Sequence, residues 1–425
     1  MTSPSSQLIA RRRRLLGPAY RLLYEEPIHP VRGEGVWLYD ADGRAYLDAY
    51  NNVPSVGHCH PRVVAALAAQ AARLNTHTRY LHETILDYAE ALLATVPDEI
   101  GHLMLTCSGS EANDLAVRAA RVFTGGTGFI VTRFAYHGVT VAVAEMSPSL
   151  GAGVAPGPQV RTIGAPDSYR STTGELAINF EADVRAAIAD MLHHGVKPAA
   201  LVFDTLFSSD GIYPATGIVE GGVRAIREAG GLYIADEVQA GLARTGSHMW
   251  GFERHEIVPD IITLGKPLGD GHPIAGMAAR PQILAEFGER TRYFSTFGGN
   301  PVSAAVGLAV LDVIRDEELM ANAAHVGAYL LEGLRGLQRH HEALGDVRGA
   351  GLYAGLEIIE DGKTRMPSAE RTTRLVNDLR RNGVLVGICG INANVIKVRP
   401  PLPFSRSDAD IFLERFDAGL RRLVG

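Results

Sequence analysis

The strongest constraint on this chain is a short apolar run ending in two acids, Gly231-Leu-Tyr-Ile-Ala-Asp-Glu-Val-Gln239. Leu232 to Ala235 follows a Gly-Gly break and carries a β-branched and an aromatic residue, so it reads as a buried strand delivering Asp236 at its carboxyl end. Open α/β sheets bind ligands just outside the carboxyl ends of their strands, which places the Asp236 carboxylate toward a bound molecule. A second run, Ile261-Ile-Thr-Leu264, leads straight into Gly265-Lys266-Pro267. That is an unusual place for a solvated charge. An ordinary lysine has a pKa of about 10.4 and becomes a nucleophile only when desolvated or set beside other cations. A carboxylate and an amine at two neighbouring strand ends make the pattern that pyridoxal phosphate needs. The carboxylate holds the pyridine nitrogen protonated, and the amine condenses with the aldehyde. Taken singly, each residue reads as a surface charge or half of a salt bridge.

The remaining bounds are permissive. A chain of 425 residues buries a substantial core over two or three domains, and 46% apolar with 21% charged residues is ordinary for a soluble globular protein. A net charge of −6 gives nucleic acid no electrostatic hold. The three cysteines, Cys59, Cys107 and Cys389, are scattered and odd in number, which suits a reducing, cytoplasmic setting and no zinc site. Arg11 to Arg14 precedes an apolar stretch too short for a targeting segment, and no run reaches membrane-spanning length.

Along the chain, residues 1–30 read as a polar, basic arm. Alternation around Asp42-Gly43 predicts two antiparallel strands between Gly35 and Tyr50. His58 and His60 in the following loop have no third ligand nearby, so hydrogen bonding is the simpler reading than metal. Ser108-Gly-Ser110 opens a helix striped by Ala112, Leu115, Ala116, Ala119 and Val122, and its free N–H groups make a phosphate cradle. A plain serine N-cap is the alternative. Tyr136 could stack on a flat ring or simply pack in the core. Residues 147–174 read as a long surface loop. Strand and helix then alternate through 201–203, 232–235, 261–264 and 274–278, which predicts a mainly parallel sheet with crossover helices. Further strands at 352–358 and 394–398 precede a final helix with Ile411, Phe412, Phe416, Leu420 and Leu423 on its apolar face. The expected domains are an N-terminal segment of a small domain (1–55), a large ligand-binding domain (56–315) and the C-terminal rest of the small domain (316–425).

Ser108-Gly-Ser-Glu-Ala-Asn113, Tyr136-His-Gly138, Asp236-Glu-Val-Gln239, Lys266 and Ser295-Thr-Phe-Gly-Gly-Asn-Pro301 occur together in an order and spacing that resemble the class III aminotransferases. The resemblance implies an α/β, fold type I enzyme dependent on pyridoxal 5'-phosphate. It further implies that Lys266 holds the cofactor and shuttles protons, that Asp236 pairs with its pyridine nitrogen, and that Val238 and Tyr136 cover the two ring faces. Gln239 would bond near the phenolic oxygen, and the N–H groups of Gly109 and Ser110 would hold the phosphate. Thr296 would reach the phosphate of a neighbouring subunit. The partner implied is a second copy of the chain, as a homodimer with shared sites or a tetramer.

Two departures from the family pattern bear on substrate. A gate glutamate is replaced by Ser209, and the arginine before the Pro-Pro-Leu turn is replaced by Lys397, with Arg399 two residues on. Lysine offers a point charge where arginine offers a bidentate fork. Asn51-Asn-Val53, Val56 to Pro61 and Leu74 to His82 resemble the branch that eliminates phosphate from ethanolamine phosphate or phosphohydroxylysine, and Arg79 in the last stretch is a candidate anion ligand. The resemblance thus implies transamination from a primary amine or amino acid to a 2-oxo acid, with phosphate elimination from a small phosphorylated amine as the alternative. A non-catalytic binding protein on the same fold fits poorly with an intact Lys266, Asp236 and phosphate turn.

Overall fold

The computed structural model describes residues 4–424, so the first three residues of the expected arm lie outside it. The arm begins as a helix, Pro4–Leu16. Its far end docks: Tyr24 donates to Val386 O at 2.9 Å, and Glu26 pairs with Arg380 at 2.8 Å. β1 (Pro30–Glu34) was not legible in the sequence, because it is an exposed edge strand carrying Pro and Gly. It pairs with β2 (Trp37–Asp40), which turns at Asp42-Gly43 into the antiparallel β3 (Ala45–Asp48).

β4 (His102–Thr106), β5 (Gly128–Thr132), β6 (Val160–Ile163), β7 (Pro198–Asp204), β8 (Leu232–Asp236), β9 (Ile261–Leu264) and β10 (Ala275–Ala279) form one sheet in the order β4-β10-β9-β8-β7-β5-β6. All neighbours from β6 to β9 run parallel, while β10 is antiparallel to both β9 and β4. The sequence rhythm counted 274–278 with the parallel strands. The connection 265–274 is shorter than the roughly dozen residues a parallel crossover needs, so it can only reverse the chain. β6 corrects the expectation of an unbroken loop over 147–174. Its four residues are hidden among Gly and Pro, and pairing with β5 is what makes them a strand.

The C-terminal part supplies β11 (Leu344–Gly349), β12 (Ala354–Ile358), β13 (Val384–Leu385), β14 (Gly387–Cys389) and β15 (Val395–Val398). β11-β12-β15-β14 make a separate antiparallel sheet, and β13 joins β3 in parallel, so the two ends of the chain share a sheet. β12 and β15 lie where the sequence places them. β11, β13 and β14 are too short or too polar to announce themselves. No described helix is long and apolar enough to cross a membrane.

At the heart of the large sheet Phe203 on β7 stacks on Tyr233 at 4.7 Å and on Phe207 at 5.4 Å. Because Phe203 is only 1% exposed, Phe203→Ala should cost about 3–5 kcal/mol. The expected readout is a lower denaturant midpoint at unchanged slope.

Candidate active site

β4, β5, β7, β8 and β9 all present their carboxyl ends to the same edge of the sheet. A cavity of about 290 Å³ opens there. Its lining includes Ser108, Gly109, Ser110, Asn113, Tyr136, Asp204, Asp236, Val238, Gln239, Lys266 and His272.

Lys266 heads a short 3₁₀ turn after β9 and has φ +41°, in the left-handed region that non-glycine residues avoid. Burial pushes its amine down to about 7, and the nearby Arg399 and Lys397 cations push the same way, against Asp236 and Asp204. An amine so placed is about half neutral, and so nucleophilic, near neutral pH.

Asp236 is 3% exposed and fully engaged. Its Oδ2 accepts from Asn113 Nδ2 at 3.0 Å and meets His137 Nδ1 at 2.7 Å, while Oδ1 accepts from Val238 N at 3.1 Å. Asn113 is itself held by Thr263, whose hydroxyl donates to Asn113 Oδ1 at 2.7 Å. His137 Nε2 is buried without a hydrogen-bond partner among the described residues. The carboxylate is thus aimed and kept in place by groups that the sequence reading left without roles. Asn113 had a usable signal, a polar residue on the apolar stripe one turn after Gly109. His137 had none beyond its place beside Tyr136.

The helix Gly109–Thr124 is capped by Ser108, whose Oγ accepts from Glu111 N at 3.3 Å. The N–H groups of Gly109 and Ser110 fall in the first turn and have no intrahelical acceptor. A Cβ at Gly109 would stand 3.0 Å from the Val238 methyls, so only glycine leaves the cradle open. Gly138 has φ +138°, and a Cβ there would lie 2.6 Å from Ser110 Oγ. This close approach brings Tyr136 to the cradle, where the ring lines the cavity at 39% exposure. The chemistry of this donor set suits pyridoxal phosphate: N–H donors for a phosphate, an amine for an aldehyde and a carboxylate for a pyridinium.

Gln239 Oε1 accepts from Arg399 Nη1, which leaves its amide N–H groups for the cavity. Arg399 also donates to Tyr50 O at 3.1 Å and does not line the cavity, so it is spent on structure. Lys397 is different. It too lies outside the cavity's lining, but its neighbours across β15 are Gly355 and Gly387, and among the described residues it is buried with no hydrogen bond or ion pair. Burial brings its amine down to about 8. Ser209 accepts from Gly390 N at 2.9 Å through its backbone and lies outside the lining.

Arg79 and Thr296 are exposed and also outside this cavity. The Arg79 guanidinium lies 3.8 Å above the Phe294 ring, so it is not brought to Lys397 within one chain. His58 bonds Asp48 at 2.8 Å and His60 bonds Glu317 at 3.0 Å. Asp204 and His272 are lining residues that the sequence reading did not single out. Asp204 Oδ1 accepts from Leu206 N and Ser208 Oγ, and His272 Nε2 lies 2.9 Å from Ser303 Oγ.

The profile of the family described as Aminotransferase class-III matches residues 23–420. A solved Arthrobacter phospholyase in complex with phosphoethanolamine superposes with a TM-score of 0.95 at 44% identity, covering 97% of this chain and 99% of that one. An alanine–glyoxylate aminotransferase 2-like protein of Drosophila melanogaster is 39% identical over 97% of this chain and 86% of its own length. An ethanolamine-phosphate phospho-lyase homolog of Caenorhabditis elegans is 34% identical over 95% of this chain and 90% of its own.

The low pKa at Lys266 is directly testable in cofactor-free protein. Trinitrobenzenesulfonate labelling of Lys266, followed by peptide mapping, should titrate with a midpoint near 7. Lys397→Met removes a cation and should move that midpoint up. A midpoint near that of free lysine would contradict the geometry.

Proposed function

Because the chain belongs to the class-III aminotransferase family, whose enzymes use pyridoxal 5'-phosphate, we propose that its cavity eliminates phosphate from a small phosphorylated primary amine such as ethanolamine phosphate. The observation that carries this choice is Lys397, a buried cation that has no hydrogen bond or ion pair among the described residues and whose charge is felt at Lys266. A gate glutamate would have neutralised it, and Ser209 leaves it for a substrate anion. The 44% identity with the Arthrobacter phospholyase supports the same reading. Transamination to a 2-oxo acid is the second reading, and the 39% identity with an aminotransferase 2-like relative favours it.

Bound in the cavity, the cofactor supplies an electron sink for bond breaking at the carbon that bears the amino group. Asp236 would keep the pyridine nitrogen protonated, steadied by Asn113 and His137. Gly109 and Ser110 would bind the phosphate by their N–H groups, with Val238 and Tyr136 on the two ring faces and Gln239 donating at the phenolic oxygen. Lys266 Nζ, poised to act as a base near neutrality, would take the proton from the substrate carbon next to nitrogen. In elimination the phosphate then leaves the adjacent carbon with the C–O bond's electrons, and the unsaturated amine that remains is protonated at that carbon and hydrolysed by solvent water to an aldehyde and ammonia. In transamination Lys266 would return the proton elsewhere, so the same residues serve both outcomes. Lys397 would hold the leaving phosphate.

The active unit would be a homodimer. Around Arg79 and Thr296 the surface exposes Tyr80, Leu81, Phe294 and Phe297, with Leu81 at 99%. An apolar patch of this kind, made by two segments of which the second carries Thr296, supports cover by a second copy. If Thr296 reaches a neighbouring site, Arg79, stacked on Phe294, travels with it. The pairing of β3 with β13 supports reading 1–55 and 316–425 as one small domain beside 56–315. Three free thiols support a cytoplasmic setting.

Purified protein given ethanolamine phosphate should release phosphate without any 2-oxo acid. Amino transfer to pyruvate without phosphate release would return the balance to transamination. Lys397→Met should raise the KM for the phosphorylated amine roughly ten- to a hundredfold, the weight of a charge-assisted contact, and leave uncharged amines little changed. Sedimentation at assay concentration should show at least a dimer, and a fully active monomer would sink the shared-site reading.

A further inference from the structure

The turn that presents Lys266 holds two non-glycine residues in the left-handed region, Lys266 at φ +41° and Asp270 at φ +48°. Such conformations persist only where the surroundings over-determine them. Within the turn, Leu268 N donates to Gly265 O at 3.2 Å and His272 N to Gly269 O at 2.8 Å. Two further bonds come from far away in sequence. Ser55 Oγ donates to Pro267 O at 2.7 Å, and Val56 N donates to Asp270 Oδ1 at 3.0 Å. Ser55 is 0% and Val56 1% exposed, so neither bond has water as a ready substitute.

Both donors sit on one strap, residues 48–58, and that strap is itself fastened at several points. Asp48 accepts from Tyr50 N and Asn51 N at 3.1 and 2.9 Å and meets His58 Nε2 at 2.8 Å. Asn52 Nδ2 donates to Gln239 O at 3.2 Å, just past the Asp236 strand. Leu402 N donates to Ser55 O and Arg399 N to Ala49 O, each at 2.8 Å. The strap therefore ties the lysine turn, the end of β8 and the Pro-Pro-Leu turn to one another.

We propose that Ser55 and Asp270 are positioning residues that fix the Lys266 amine against the reacting carbon. The inference rests on reading Lys266 as the residue that moves the proton. Neither residue touches the substrate. They act on the turn just after Lys266, at Pro267 and Asp270, where a small displacement is carried to the end of a long side chain.

The test begins without cofactor. In cofactor-free Ser55→Ala protein, amide hydrogen exchange over residues 264–272 should be severalfold faster than in the parent, with other core peptides unchanged. In the loaded enzyme kcat should fall about ten- to a hundredfold while KM stays within about threefold, and Ser55→Thr, which keeps the hydroxyl, should recover most of the loss. Thr372→Val removes a comparable buried bond far from the site, Thr372 Oγ1 to Ser368 O at 2.7 Å, and should change neither readout. Unchanged exchange over 264–272, an unchanged kcat, or equal effects from Thr372→Val would overturn the proposal. Should Ser55→Ala fail to fold, Asp270→Ala reads the same turn by the same two measurements. Borohydride fixation of the cofactor on another lysine would remove the Lys266 reading while leaving the exchange result standing, so the two failures are distinguishable.

Discussion

The lowered pKa of the Lys266 amine is the constraint on which the rest of the site depends. A lone ammonium taken from water is expensive by several kcal/mol even after the protein relaxes around it. Burial alone therefore drives the amine toward neutrality, and two further cations, Arg399 and Lys397, come in from the C-terminal part of the chain to push it further. The carboxylates that oppose them, Asp236 and Asp204, stand at the ends of neighbouring strands. The balance is thus struck between two parts of the fold, and neither sets it alone.

The same logic explains how the other buried charges are treated. Asp236 is ringed by Asn113, His137 and the Val238 backbone, so both its oxygens have hydrogen-bond partners although it is buried. Arg399 is tied to Gln239 and the Tyr50 carbonyl, which makes it a structural cation with an electrostatic reach into the cavity. Lys397 has no such tie and has glycine on both sides across the sheet. Of the two cations, only Lys397 has no hydrogen bond or ion pair among the described residues.

Much of the frame was legible in the chain because its signals are local. The hairpin at Asp42-Gly43, the strands ending in Asp236 and Leu264, and the helix opened by Ser108 depend on alternation, caps and turn residues within a few positions. Elements whose stability comes from a neighbour were not legible. β6 is a strand because β5 lies beside it, β13 spans two residues against β3, and β10 runs backwards because the turn before it is short. Arg79 looked like a candidate partner for Lys397 from its surroundings in sequence, yet within one chain it rests on Phe294 outside the cavity.

The sequence by itself determined the chemistry that the chain can carry. An acid and a lysine at successive strand ends, with a glycine-serine helix start, define a donor set whose meaning does not depend on exact distances. Tertiary structure alone decided how those groups behave. The lowered pKa of Lys266, the fastening of Asp236 by residues 113 and 137, and the contrast between a hydrogen-bonded Arg399 and an untied Lys397 all arise between residues far apart in the chain. The reason is physical: desolvation and Coulomb interaction depend on what is packed within a few ångströms, and sequence spacing carries that information only along a single strand or helix.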